Sequence, residues 1–385
     1  MARFNPKSFA QPDLLKKVQV RNLLELLIPY QPFFEEKGFS FPSDGVEEIN
    51  YLKLAGILAQ PDENMESSLV EALHVIGNIG TDENFDELLD IARRNTVDTG
   101  DGEATAIDLA TRIWLAVPEA LVRMERAELF HRRKKFESFR AKNPKEVAPA
   151  ESLPRDFTEL EQDLDGWFES RKRGVGCKVI RKDSPGEVRF LIQHGQPCKR
   201  EPSRKGAQST CTFFRPEKTD VVIYDLVNNE FRINTSTLGE LRLYVQKFGK
   251  HLFGDEEKFV YTAKYTLDPL REQGPAALCC RDVPGIEWVR LQEIEYSWPN
   301  AFNLAEKYSA DDVFQSLAAL NRSIDLKAEI LKAVFSVKLE GEKKPRSVSI
   351  RPRNTAAYGR GEKAVIIETW LRARGFILIG MAARA

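Results

Sequence analysis

Two carboxylates and a guanidinium spaced along a short stretch are the residues of this 385-residue chain with the clearest chemical potential. Asp220 opens the run DVVIYD, Glu230 opens EFRINT, and Arg232 follows Glu230 by two positions. Two carboxylates that converge at a sheet edge repel each other, and a divalent cation relieves that repulsion. A metal held there could activate water, and Arg232, a poor proton acceptor, could stabilise developing negative charge. Magnesium is the cofactor expected on that reading, and none otherwise. The competing reading is that Asp220 and Glu230 cap strand ends and point apart.

Other reactive residues form weaker patterns. His194 and Cys198 are four apart, Cys211 follows, and Cys279 and Cys280 come later, without the tight pairs such as C-x-x-C that zinc sites use. No metal ligand set is therefore predicted from them. The chain contains neither a G-x-S-x-G elbow nor a G-x-x-x-x-G-K-[ST] loop. Residues 98–103 (DTGDGE) begin like a calcium loop but lack the later ligands and the closing glutamate, so a solvated loop is expected. His74 lies between apolar helical positions and reads as a packed, hydrogen-bonded histidine.

The elements that must position these residues are legible from hydrophobic period. Residues 188–193 and 220–225 read as strands, and 230–235 alternates, with Phe231 and Ile233 on one face. The pair around Leu226-Val227-Asn228-Asn229 predicts a β-hairpin. Leu238, Leu241, Val245 and Phe248 then recur at helical spacing. DVVIYD does not alternate, so both its faces should be covered. Helix, strands, hairpin and helix, with the motif across residues 216–248, resemble in degenerate form the core of PD-(D/E)xK nucleases. That resemblance implies Asp220 and Glu230 as metal ligands and Arg232 in the place of the family lysine. Pro216 does not directly precede the aspartate, and the arginine departs from the family pattern, so an inactive relative or a coincidental likeness is the alternative.

Upstream, residues 68–94 read as helix, break and helix, with stripes of Leu69, Leu73, Ile76 and Ile79, then Phe85, Leu88, Leu89 and Ile91. The pair resembles a HEAT-type helical hairpin. Phe33, Phe34, Phe39 and Phe41 read as a loop plugged into a core. Residues 107–142 predict one long helix kinked at Pro118 and ending in the basic run 132–135, and 143–154 reads as a Pro-rich linker. Downstream, helices are expected at 309–320, 326–334 and 361–374, the last with Val365, Ile366, Trp370 and Leu371 inward. A hairpin joins 335–339 to 348–350.

The fold class expected is α+β and multidomain. It comprises an acidic α-helical domain over 1–150, a β-rich α/β domain over 155–296, and a small basic α/β domain over 297–385 in a winged-helix-like arrangement. Net charge is −1, but the charge is sorted. Residues 31–110 carry 18 acidic and 4 basic side chains, 171–218 carry 13 basic and 4 acidic, and 343–374 carry 9 basic and 2 acidic. Such sorting fits different partners for different regions, or an acidic domain packed on basic ones. Arg171, Lys172, Arg173, Lys199, Arg200, Arg204, Lys205, Arg351, Arg353 and Arg360 are the candidate phosphate contacts. Residues 199–208 read as a mobile anion-binding loop. The N-terminal residues show no signal-peptide core and no apolar run reaches membrane-spanning length, so a cytoplasmic protein without membrane contact is expected. The leading expectation is a non-catalytic subunit that contacts nucleic acid and binds a protein partner through its acidic helices. Three-part chains of this kind resemble components of bacterial anti-phage cassettes. A divergent metal-dependent nuclease and a purely structural assembly subunit are the alternatives.

Overall fold

Apolar residues at helical spacing dominate the first third of the chain, and there the computed structural model is helical. It describes residues 9–42, 49–100, 104–298, 304–324, 328–361 and 363–378, without the side chains of 128–132. The chain divides into two units, one of residues 1–129 together with 205–208 and the other of residues 130–204 and 209–385. Together they hold helices and a large antiparallel sheet, so the protein is α+β. Among the described residues no helix is long and apolar enough to cross a membrane.

The first unit contains α1 (Pro12–Leu15), α2 (Val20–Leu27), α3 (Gln31–Glu36), α4 (Tyr51–Leu58), α5 (Ser67–Ile79), α6 (Phe85–Arg94), α7 (Ala106–Ala116) and most of α8 (Pro118–Arg132). The predicted stripe of α5 is buried at Leu69, Leu73, Ile76 and Ile79, whereas in α6 only Leu88 of the predicted set is fully buried. Phe33, Phe34, Phe39 and Phe41 pack edge to face at centroid distances of 5.2–6.0 Å, the arrangement that ring quadrupoles favour. His74 lies 3.3 Å from Glu125 of α8. The Asp98–Glu103 loop is described only to Gly100.

The second unit contains β1 (Lys135–Ala141), α9 (Thr158–Ser170), β2 (Lys178–Ser184), β3 (Glu187–Gly195), β4 (Lys199–Lys205), β5 (Gln208–Phe214), β6 (Glu217–Asp225), β7 (Glu230–Asn234) and α10 (Leu238–Phe253). It continues through β8 (Phe259–Tyr261), α11 (Asp268–Gln273), β9 (Ile286–Trp298), β10 (Leu304–Ser309), α12 (Val313–Ala319), β11 (Glu329–Leu339), β12 (Arg346–Arg351), β13 (Thr355–Ala357) and α13 (Ala364–Ala373). The sheet runs β10-β9-β11-β12-β13-β1-β7-β6-β3-β2, with β8 also paired to β1, and every pairing is antiparallel.

The sheet corrects three boundaries. Residues 135–141 do not extend a helix: they form β1, which joins β13 to β7. Phe136 and Phe139 are three apart, a helical spacing, and the pairing that overrides it is long-range. Residues 143–154 are no free linker. Ala150, Leu153 and Pro154 carbonyls accept hydrogen bonds from Arg181 at 2.7–2.9 Å, and the Asn229 amide donates to the carbonyls of Asn143 and Glu146. Nor does the boundary at 296/297 separate two sheets, because β9 pairs with both β10 and β11. The segment 297–385 therefore completes the sheet instead of forming a winged helix. Residues 329–334, expected as helix, begin β11, while 325–327 lie outside the described residues.

The hairpin stands where its sequence placed it. Asp225 faces Glu230 across the ladder, and Asn229 adopts φ +47° in the turn. Buried α9 and α10 residues Leu160, Leu164, Phe168, Tyr244 and Phe248 share one core with Phe190, Val222 and Phe231 of the sheet. Phe335 of β11, Trp370 of α13 and Phe376 belong to another. In α13 the inward positions are Ala364, Ile367, Trp370 and Leu371, and Val365 is exposed.

Candidate functional site

Between β3 and β6 the chain leaves the sheet as a two-stranded ribbon, β4 with β5, whose strands, among the described residues, pair only with each other. The stretch 199–208, read from sequence as a mobile loop, is thus a strand and a turn, with Gly206 at φ +59°. The composition KREPSRK has nothing to bury, which hid the strand. All side chains of the ribbon strands are exposed except half-buried Ser203 and Phe214. Successive strand residues face opposite ways, so Lys199 and Lys205 occupy one face of β4, and Arg200 and Arg204 the other. Lacking a buried side, the ribbon presents cations on both faces.

Its root is tightly built. A Cβ at Gly195 would lie 2.3 Å from the Arg173 carbonyl oxygen and 2.7 Å from Arg215 Cδ, so only glycine permits the approach. Arg215, which follows β5, donates from Nη1 to the carbonyls of Lys172 (2.7 Å) and Gln196 (3.0 Å). The basic turn after α9 therefore rests against the foot of the ribbon. Arg171 and Lys172 are exposed, and the Arg171 guanidinium lies 3.8 Å from the Trp167 ring centre. Arg173 is half-buried and committed to Glu240.

The C-terminal cations are elsewhere. Arg351 and Arg353 are exposed, but Arg351 lies four strands from β6 across the sheet, about 19 Å at the usual strand spacing. Arg360 is only 6% exposed and donates to Tyr358 Oη (2.6 Å) and Glu368 (2.9 Å), so no phosphate reaches it. Its side chain is consumed by the core, a fate that its sequence neighbourhood gave no sign of.

The structure does not bring Asp220 and Glu230 together. Val221 pairs with Asn234, which sets Asp220 level with Thr235, five positions along β7 from Glu230, or about 17 Å. The acidic residue that faces Glu230 is Asp225. Arg232 lies between these two, bonded to Asp225 and 3.0 Å from Glu230, and Lys264 also binds Glu230. Burial opposes ionisation of Asp225, but Arg232 and the turn amides outweigh it and hold the carboxyl below its ordinary range. Likewise burial would raise Glu368, but Arg232 and Arg360 bring it down to about 2.

Asp220 belongs to a different cluster, at the root of the ribbon. Its Oδ2 accepts from Tyr244 Oη (2.8 Å) and Lys218 Nζ (3.0 Å), and lies 3.0 Å from Thr235 Oγ1 and 3.1 Å from His194 Nε2. Lys218 Nζ also donates to Glu240 at 2.8 Å. Burial would raise Glu240, yet hydrogen bonds from Lys218, Thr235 and Arg173 hold it well below the usual carboxylate range. His194 stacks on Phe168 at 4.0 Å. His194, Asp220 and Glu240 are buried and offer ligand atoms within 4.8 Å of one another, a set that could hold a metal. The ammonium of Lys218 already stands between both carboxylates, and Arg173 pairs with Glu240 as well. Cys198, Cys211 and Cys279 are exposed and take no part.

Sequence reading missed Lys218, Glu240, Tyr244 and Asp225. Two signals existed. Lys218 and Asp220 are two apart on a strand and share a face. Thr237 and Glu240 form a capping box, with Thr237 Oγ1 accepting from the Glu240 amide and the Glu240 carboxylate accepting from the Thr237 amide.

No protein-family model matches the chain, and no curated protein matches it.

Proposed function

We propose that the protein is a non-catalytic subunit that contacts nucleic acid through the ribbon β4–β5 and the adjoining turn at Arg171 and Lys172. The observation that carries this reading is a two-stranded element with four exposed cations, Lys199, Arg200, Arg204 and Lys205, and no core of its own. Such an element adds little to stability. Its side chains are free to exchange hydration and counterions for phosphate oxygens, the main source of affinity for nucleic acids. The acidic helical unit supplies a surface for a protein partner. There Val20, Leu24 and Ile28 form an apolar row along and just past α2, with Val20 48% and Ile28 51% exposed.

Nuclease chemistry is the weaker reading. Asp220 and Glu230 stand apart, and the carboxylates that do converge, Asp220 and Glu240, have side chains only 1–2% exposed and every oxygen engaged. A phosphodiester has no access to them.

The test is binding measured against salt. Each phosphate neutralised on a duplex adds about −0.9 to the log–log slope, and on a single strand about −0.7. Joint replacement of Lys199, Arg200, Arg204 and Lys205 by serine should flatten the slope by about 3 and leave the melting temperature unchanged. A wild-type protein that does not bind at low salt, or binds with no salt dependence, would overturn the reading.

A further inference from the structure

Resting on that reading, the aromatic residues beside these cations say which form of nucleic acid is bound. We infer that the ribbon takes single-stranded nucleic acid, with Phe213 and the Arg171–Trp167 stack as stations for unstacked bases.

Phe213 is 71% exposed on β5. Lone exposed apolar side chains are common and usually need no explanation. This one differs in its surroundings. The rest of β5 before it is Gln208, Ser209, Thr210, Cys211 and Thr212, all exposed, and the ribbon has no apolar layer for a phenyl ring to join. No packing role accounts for a ring at that position, and its hydration is unfavourable until something covers it. A planar partner with a π-face covers it best, and every nucleobase has one.

The second station is independent of the first. The Arg171 guanidinium carbon sits over the Trp167 ring at 3.8 Å from its centre, and Arg173 approaches the same ring at 5.4 Å. Arg171 is exposed, so its guanidinium plane is offered to a further stacking partner. Guanidinium planes and aromatic rings are the two surfaces on which splayed bases stack. This stack sits on the turn that Arg215 binds through the Lys172 carbonyl, so it adjoins the ribbon's foot. Through the Lys172 and Gln196 carbonyls Arg215 ties this stack to the foot of the ribbon that carries Phe213.

A duplex would use this surface poorly. Its base faces are covered by neighbouring pairs, which leaves Phe213 at most an apolar contact with a thymine methyl in the major groove. In a single strand the faces are available, and stacking on an aromatic side chain is worth about 1–3 kcal/mol per base, or about 5- to 150-fold in affinity.

The experiment compares fluorescence anisotropy of labelled oligo-thymidine, oligo-uridine and a mixed-sequence duplex, using the full chain. Wild type should bind the single strands more tightly than the duplex. Phe213→Ala should lose about tenfold on single strands and nothing on duplex, with an unchanged melting curve because the ring packs on no core. Arg200→Ser with Arg204→Ser should weaken all three. Phe213→Leu should recover little, since a leucine covers apolar surface but does not stack. If wild type binds only duplex, or Phe213→Ala binds single strands as wild type does while the arginine variant fails, the stacking inference falls and the electrostatic reading survives. If wild type binds none of the three, both fall.

Discussion

Replacing Lys218 with methionine removes the internal cation of the ribbon's root while keeping most of the side chain's bulk. Its Nζ stands 3.0 Å from Asp220 and 2.8 Å from Glu240, with 11% of the side chain exposed. Deleting one partner of a buried ion pair costs about 3–5 kcal/mol, because the remaining charge stays desolvated. Arg173 still compensates Glu240, so the orphan is Asp220, and the lower end, about 3 kcal/mol, is expected. In a domain of this size that lowers the melting temperature by about 6–12 °C. Asp220→Asn in the same background should recover part of the loss, with a coupling of about 1–3 kcal/mol between the two sites. Manganese or zinc should stabilise Lys218→Met by mass action, since His194, Asp220 and Glu240 then face each other without their ammonium, and should leave wild type unmoved. Thermal unfolding followed by circular dichroism, with chelator and with each metal, reads all of this. Metal stabilisation of wild type but not of Asp220→Asn would refute the reasoning and make the cluster a metal centre. An unchanged melting temperature for Lys218→Met would show that Lys218 compensates nothing.

Two further outcomes follow from the buried charges and the ribbon's root. Glu368 has a folded-state pKa of about 2 against an ordinary 4.5, so it contributes stability fully present above about pH 4.5 and lost as pH falls through about 2. The difference corresponds to about 3 kcal/mol, and urea titrations from pH 7 to 3 should show a shallower acid loss for Glu368→Gln; equal slopes would remove Glu368 from the account. Gly195→Ala places a methyl against the Arg173 carbonyl, so it should cost about 1–3 kcal/mol by overpacking and weaken nucleic-acid binding by shifting the ribbon's foot. A variant that melts and binds as wild type would show that the backbone gives way there freely.

The hairpin Asp220–Asn234, the helix after it and the paired helices α5 and α6 were legible because each is written in local period and turn chemistry. DVVIYD and EFRIN announce strands, Asn228-Asn229 supplies the turn, and Leu69, Leu73 and Ile76 repeat at helical spacing. By itself the sequence also determined the sorting of charge that singles out residues 199–205. It could not say that KREPSRK is a strand, since a ribbon with no buried face shows no alternation. Nor could it choose between partners for a charge. Arg360 and Arg200 look alike in the chain, yet one is folded against Tyr358 and Glu368 and the other faces solvent. Register decided the rest. Antiparallel pairing set Asp225 opposite Glu230 and carried Asp220 to the other end of the hairpin, where it meets His194, Lys218, Tyr244 and Glu240. Those meetings join residues up to 46 positions apart (194 to 240), and only the closing of β3, β6 and α10 around one core brings them within bonding distance. Short-range pattern fixes an element's type, whereas the company a buried charge keeps depends on which strands pair and in what register.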